Sequence, residues 1–196
     1  MTGATAAIAC LLALSAVTGC AHRTLDVGYP EAAAHRALLG SVAPRRVVVA
    51  PVTDRRLDRS RIGSKPEDGK PIVTSRPVPD IVRDALVVEL GRNGHEVVAG
   101  PGDVAIAADV EEFWLDAVGR SATTRYIGRV AIAIVIADAH TGERLAGRRY
   151  VGIRRRTADA DATEAWREVM DTALARTIHD LATDPDIALS LGRPPL

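Results

Sequence analysis

The run VAIAIVI at residues 130–136 is the strongest constraint on what this chain can fold into. Val130, Ile132, Ile134 and Ile136 alternate with Ala131, Ala133 and Val135, so a strand here is apolar on both faces. Such a strand belongs in the middle of a sheet, between two neighbours. Both neighbours are legible. Over residues 104–117 the apolar residues sit at even positions through Val110 and then shift to Phe113 and Leu115, which predicts a bulge near Glu111-Glu112. AHTGE at residues 139–143 has turn chemistry, and residues 145–155 return as the hairpin partner.

Two helices accompany these strands. Pro77-Val78-Pro79-Asp80 opens the first: Pro79 suits a first turn and Asp80 complements the helix dipole. Ile81, Val82, Ala85, Leu86 and Leu90 give it an apolar face, and Asn93-Gly94 ends it as a C-terminal cap. In the second, Trp166, Val169, Met170, Ala173, Leu174, Ile178 and Leu181 recur at helical spacing behind a capping-box spacing of Asp161 and Glu164. Asp184-Pro185 interrupts it, and a final turn is expected over residues 186–191. RVVVAPVT at residues 46–53 reads as a strand, residues 54–70 as a charged loop, and residues 71–75 and 96–99 as short strands. Strand, helix, strand predicts one parallel right-handed crossover. The expected fold is α+β, a single domain whose mixed, mostly antiparallel sheet carries two main helices on one face. With aromatics at 3% of 196 residues, its core must come from Val, Ile, Leu and Ala.

The first 19 residues carry no charged side chain, and residues 4–17 are small or apolar. That run is shorter than the roughly 20 apolar residues of a transmembrane helix and has the length of a signal-peptide hydrophobic region. It stops at Val17-Thr18-Gly19-Cys20. From the residues alone, two readings stand: a signal peptide, or a buried helix in which Cys20 is a small core residue. The stretch resembles the lipobox of bacterial lipoproteins, with Val in place of the usual Leu at its first position. The resemblance implies that Cys20 receives a diacylglyceryl group, that the chain is cut before it, and that the new amine takes a further acyl group such as palmitate. Three acyl chains make such an anchor effectively permanent. Ala21 rather than Asp after the cysteine resembles export to the outer membrane. On this reading residues 1–19 are a signal peptide, residues 20–44 a lipidated N-terminus and tether with a short helix over 31–39, and residues 45–196 the domain. A flexible tether of about 24 residues spans roughly 25–30 Å, enough to lift the domain clear of the lipid headgroups. Cys10 leaves with the signal peptide, so the mature chain forms no disulfide.

Net charge is zero, which gives no reason to expect a nucleic-acid partner. Gly100-Pro101-Gly102 imitates a dinucleotide fingerprint, but a strand follows where a helix is needed. Asp159, Asp161, Thr163 and Glu164 begin like a calcium loop, but Glu164 and Met170 stand where Gly and Glu are required. Asp109, Glu111, Glu112 and Asp116 read as a solvated strand face rather than an acid/base pair. The five histidines are far apart, and no serine sits in a nucleophile elbow. No catalytic set, metal site or cofactor is expected. Arginine is the unusual feature. Arg55, Arg56, Arg59 and Arg61 crowd the charged loop, and by alternation Arg144, Arg148, Arg154 and Arg156 share one face of the last strand. That face is a candidate for binding lipid phosphates or acidic cell-wall groups through forked hydrogen bonds, or else an edge strand kept soluble by charge.

From Tyr126 onward the chain resembles the YajG-type family of uncharacterised lipoproteins, through RYIGRVAIAIVIADAHTGERLAGRRY and then LARTIHDLATDPDI. VVELGRNGHEVVAGPGDVAIAADVEEFWLDA aligns with the family in character. The resemblance implies an outer-membrane lipoprotein of unassigned role, with only the lipidated cysteine, Cys20, to carry over. The expected function is a non-enzymatic, periplasm-facing module, held in membrane lipid by acylated Cys20, that docks an unidentified envelope protein. The alternative is an auxiliary lipoprotein of an ABC-type lipid-transport system, favoured by an apolar groove for acyl chains and opposed by a filled core. A hydrolase would need a cleft joining a carboxylate of shifted pKa to His95 or His140.

Overall fold

The computed structural model describes residues 22–30, 32, 36–65, 68–119, 123–159 and 163–193. In chain order the elements are β1 (Arg23–Leu25), β2 (Arg46–Val49), β3 (Thr53–Asp54), β4 (Gly63–Ser64), β5 (Pro71–Thr74), α1 (Val78–Arg92), β6 (Glu96–Val97), β7 (Val104–Val118), β8 (Thr123–Asp138), β9 (Arg144–Asp159), α2 (Thr163–Ala182) and α3 (Pro185–Gly192). A 3-10 turn at Leu38–Ser41 precedes β2.

The meander of β7, β8 and β9 supplies most of the strand pairing, with β8 in the centre. The register of β7 against β8 slips between Val110 and Glu112, where the change of apolar phase predicts a bulge. The other edge of β7 is shared along its length by β2, β3 and β4, all parallel to it. The β2–α1–β7 connection is therefore the expected parallel crossover. β4 passes the sheet on to β5 in antiparallel pairing, and β5 pairs with β1 in parallel. The fold is α+β, a mixed sheet with its helices on one face. α2 packs on β8 and β9, and α1 packs on β2, β3 and β7 beside α2.

Two expectations are corrected here. The segment read as a tether is, in its described residues, built into the domain. β1 adds a strand to the sheet, and Leu25, Val27 and Leu39 are buried to 1% or less. Burying three large aliphatic side chains is worth several kcal/mol, at roughly 1.5–3 kcal/mol each, more than a free coil gains in entropy at so few positions. Polar contacts hold the segment too: the Tyr29 hydroxyl donates to Glu89 at 2.7 Å, the Ala37 amide to Asn93 at 2.8 Å, and the Gly28 amide to Asp171 at 3.0 Å. Of the helix expected over residues 31–39, residues 31 and 33–35 lie outside the described residues, and its end is the 3-10 turn that starts at Leu38. The second correction concerns the charged loop. Its described part is pinned by buried Ile62, by the two-residue strand β4, and by Arg56, which is buried against Asp54. The capping box at Asp161 lies outside the described residues.

The helix layer sits unusually close to the sheet at two glycines. A Cβ on Gly128 of β8 would lie 2.5 Å from the Val169 carbonyl oxygen. One on Gly152 of β9 would overlap the Ala173 carbonyl and come within 2.5 Å of the Thr177 hydroxyl, which itself donates to Val130 and Ala173 carbonyls. With no side chain at either position, α2 lies down on the strand backbone, and Trp166, Met170, Leu174 and Ile178 are fully buried around the contact. Trp166 meets Tyr126 edge-on, with ring centroids 6.0 Å apart. Overpacking of this kind costs about 1–3 kcal/mol or more. Gly152→Ala is therefore expected to lower the urea-unfolding free energy by about 3 kcal/mol. Gly100→Ala, where nothing lies within 4 Å of the added Cβ, should stay within about 0.5 kcal/mol of the parent.

Candidate functional site

The arginines of β9 do not form one face. Arg148, Arg154 and Arg156 stand opposite Ile134, Gly128 and Tyr126 of β8, on the side that carries the helices. The register slips between Ile136 and Ala137, so Leu145 is an extra residue and Arg144 falls opposite Ala137, on the other side of the sheet. There its guanidinium lies over Gly147, in space a Cβ would fill. The candidate anion-binding set Arg144, Arg148, Arg154 and Arg156 is thus divided by a bulge that strict alternation ignores. Its inward members meet carboxylates of the helices. Arg148 pairs with Asp184 at 2.6 Å and Asp186 at 3.7 Å, and Arg154 and Arg156 both pair with Glu168. Arg176 adds a hydrogen bond to the Ile153 carbonyl at 2.5 Å.

The helix-free face of the sheet carries a middle band of small residues, Ala107, Ala133, Val135, Gly147 and Val151, rimmed by ion pairs. Every carboxylate of the acidic strand is engaged by an arginine: Asp109 with Arg55 at 3.2 Å, Glu111 with Arg149 at 2.5 Å, and Glu112 and Asp116 with Arg129 at 2.6 Å each. Trp114 donates its indole N–H to Asp116 at 2.8 Å and lies under the Arg61 guanidinium, 5.7 Å from the ring centroid. Leu57, fully exposed, stands beside this aromatic in an open cleft of about 470 Å³. Arg129 is the organising cation here. Sequence spacing does not single it out, because its partners lie across the β7–β8 ladder and only the bulged register brings them to it.

The buried polar groups are structural hubs. Asp184 caps α3, accepting from the amides of Asp186 at 2.8 Å and Ile187 at 3.4 Å, and also accepts from Arg148 and from the Tyr150 hydroxyl at 2.8 Å. Burial pushes its carboxyl upward, but these donors more than offset it and hold it below the ordinary carboxylate value. Tyr150 is pushed up by burial and by Asp184, as Tyr29 is by burial and by Glu89. Burial pushes the His95 imidazole down, so the ring is neutral at pH 7. Its Nδ1 accepts from the Arg45 amide at 3.2 Å, which leaves Nε2 to donate to the Leu39 carbonyl at 3.0 Å. Both His95 partners are backbone atoms. His140 lies in the β8–β9 turn. There the His140 and Thr141 amides donate to Asp138 at 2.9 and 2.7 Å, and these turn donors hold its carboxyl below the ordinary value, so Asp138 serves to fasten the turn.

Among the described residues no three His, Cys, Asp or Glu side chains are placed to hold a metal ion. No described helix is long and apolar enough to cross a membrane. Four hollows of the described surface are open depressions of about 360–510 Å³, and three of them are bordered by charged side chains from more than one element. The interior is filled by the aliphatic core. Cys20 lies outside the described residues.

No family model and no curated protein matches the chain. Solved structures do. A Xanthomonas campestris protein assigned to the family DUF330 is 18% identical, over 87% of this chain and 94% of that one, with a TM-score of 0.59. The two share a fold. Weaker likenesses reach a Caulobacter crescentus protein described as a candidate lipoprotein (16% identity, 84% of this chain and all of that one, TM-score 0.48) and a minor lipoprotein of Acinetobacter baumannii (16%, 77% and 92%, TM-score 0.38).

Asp184 gives this region a pH signature. A carboxyl held below its unfolded value adds stability that is complete above the ordinary carboxylate range and is lost as pH falls through its folded value. Asp184→Asn keeps a capping oxygen but loses the charge that Arg148 and Tyr150 bond. At pH 7 it should cost about 2–3 kcal/mol in urea unfolding. The gap to the parent should narrow below about pH 4.

Proposed function

We propose that this chain is a lipid-anchored lipoprotein of the bacterial envelope, of the YajG type, held by acylated Cys20 in the outer membrane with its domain on the periplasmic side. Its domain acts there as a non-enzymatic docking module. The observation that carries the reading is the adjacency of the two parts. The lipobox ends at Cys20, and the first strand of a filled, cross-braced domain begins at Arg23. The domain's polar side chains support the same view, since the arginines and carboxylates are spent on ion pairs that brace strands and helices to each other. In the version where the module serves a lipid-transport system, the filled core leaves it a docking role and not the carriage of acyl chains.

The first test is the state of Cys20. Expressed in a Gram-negative host, the full chain should yield a mature protein beginning at Cys20, with the mass of a diacylglyceryl group and an N-acyl chain, that partitions into detergent. Cys20→Ala should stay uncut and unacylated. A parent protein that keeps residues 1–19 and remains aqueous would defeat the anchor. Crosslinking in intact cells then tests docking: one enriched envelope complex, lost in Cys20→Ala, is the expected result. No protein partner, with lipid or glycan co-purifying instead, would defeat the docking role.

A further inference from the structure

The topology fixes which end of the domain meets the anchor. β1 is parallel to β5, β5 is antiparallel to β4, and β4 is parallel to β7. β1 therefore runs against β7, and stepping back from Leu25 to Arg23 moves toward the Val118 end of the sheet. Through the pairs Arg23 with Ile72, Ile72 with Gly63 and Gly63 with Leu115, Arg23 is already level with the last turn of residues in β7. The start of β8 and the close of β9 lie at the same end, where Val118 stands opposite Arg125, Arg125 opposite Thr157, and Ile127 opposite Arg155. The Arg23 side chain reaches the start of α2 there, bonding Thr163 and lying 5.5 Å over the Trp166 ring. Three residue steps separate Cys20 from Arg23, and fully extended they span at most about 11 Å. A lipidated Cys20 cannot hold this end farther from the headgroups than that.

The chemistry of the end suits what it would meet. Arg23 and the segments 118–125 and 154–168 contain seven arginines against four carboxylates. Arg125 and Arg155 are exposed and have no carboxylate at ion-pair distance among the described residues. They differ in this from Arg148, Arg149, Arg154 and Arg156 on the same hairpin, all of which are paired. Val118, directly across from Arg125, is 58% exposed. An arginine near an anionic leaflet is drawn to its phosphates, and a neighbouring valine can enter the headgroup layer while the guanidinium stays at them. Resting on the lipid-anchor reading above, we propose that Val118, Arg125 and Arg155 form a membrane-contact surface that seats the domain directly on an anionic bilayer, with the β8–β9 turn pointing away.

The mature chain has no thiol but the acylated Cys20, so single labels can be placed cleanly. Val118→Cys and Thr141→Cys, in the full lipidated chain, are labelled with bimane and placed in nanodiscs of phosphatidylethanolamine and phosphatidylglycerol carrying a nitroxide headgroup quencher. Thr141 is in the opposite turn, about 50 Å away along a 16-residue strand. The label at 118 should be quenched severalfold more than the label at 141. Either 0.5 M salt or the exposed-site pair Arg125→Glu and Arg155→Glu should reduce that difference at least twofold. Equal quenching at the two sites would overturn the proposal. So would quenching at 118 that ignores both salt and charge reversal, since the anchor alone would then position the end. The mass of the same sample separates the failures. Unacylated protein defeats the anchor and this surface together, whereas acylated protein without the difference defeats the surface only.

Discussion

The fold depends on the contact between α2 and the backbones of β8 and β9. A helix normally rests on the side chains of a sheet. Here Gly128 and Gly152 remove two of them, and the Val169 and Ala173 carbonyls come down onto strand backbone. Close approach brings more atoms of both layers within van der Waals range, and dispersion grows with the number of such pairs. A chain with only six aromatic side chains needs this. Its core is made of small and branched aliphatic groups, which fill a thin interlayer space well and a thick one poorly. Phe113, Tyr126, Tyr150 and Trp166 are its aromatic members, and Tyr126 and Trp166 meet edge-on.

Once α2 is seated, the arginines acquire their roles. Most of the pairs they make are at least one-third exposed and individually worth little, about 0–1 kcal/mol. Their effect is on geometry. Glu168 draws Arg154 and Arg156 toward the first half of α2, and Asp184 draws Arg148 toward the α2–α3 junction, so the edge strand β9 is clasped at both ends of the helix. An edge strand whose charges are held by its own helices is a poor template for pairing with another chain. Asp184 is the exception in energy as well as position. It is buried, and it accepts from a guanidinium, a phenol and two amides together.

Elements that carry their own pattern could be read from the sequence. The doubly apolar β8, the phase shift at Glu111, the Pro77 start and Gly94 end of α1, and the apolar spacing of α2 are local signals, and each is found in place. Elements defined by their partners could not. β3 and β4 are two residues each and exist because β7 offers an open edge. β1 is three residues, RTL, with no period to detect. At the candidate site the failure is sharper. Alternation places four arginines together, but one extra residue at Leu145 moves Arg144 to the other side of the sheet. Counting along a strand cannot detect a bulge when the residues around it are Arg, Ala and Gly, because no apolar phase marks the slip. At Glu111 the apolar phase does mark it, and there the reading succeeds.

The misread N-terminal segment changes what the proposed anchor at Cys20 would do. A free tether of two dozen residues would leave the domain to rotate and would spread any contact surface over a wide shell. With the strand starting three residues beyond Cys20, the link is shorter than the domain itself and is tied into the sheet at its edge. The lipid anchor proposed above would then restrict orientation as well as position. With that anchor, a surface on the near end would be held at the bilayer at high effective concentration, so contacts too weak to bind membrane alone would become persistent. A surface on the far end, beyond Asp138 and the turn at Gly142, would be presented about a strand length away from the lipid. In such a molecule a few added residues between Cys20 and Arg23 would loosen orientation while leaving both the anchor and the fold intact. Linker length is thus a separable determinant of how the domain is presented.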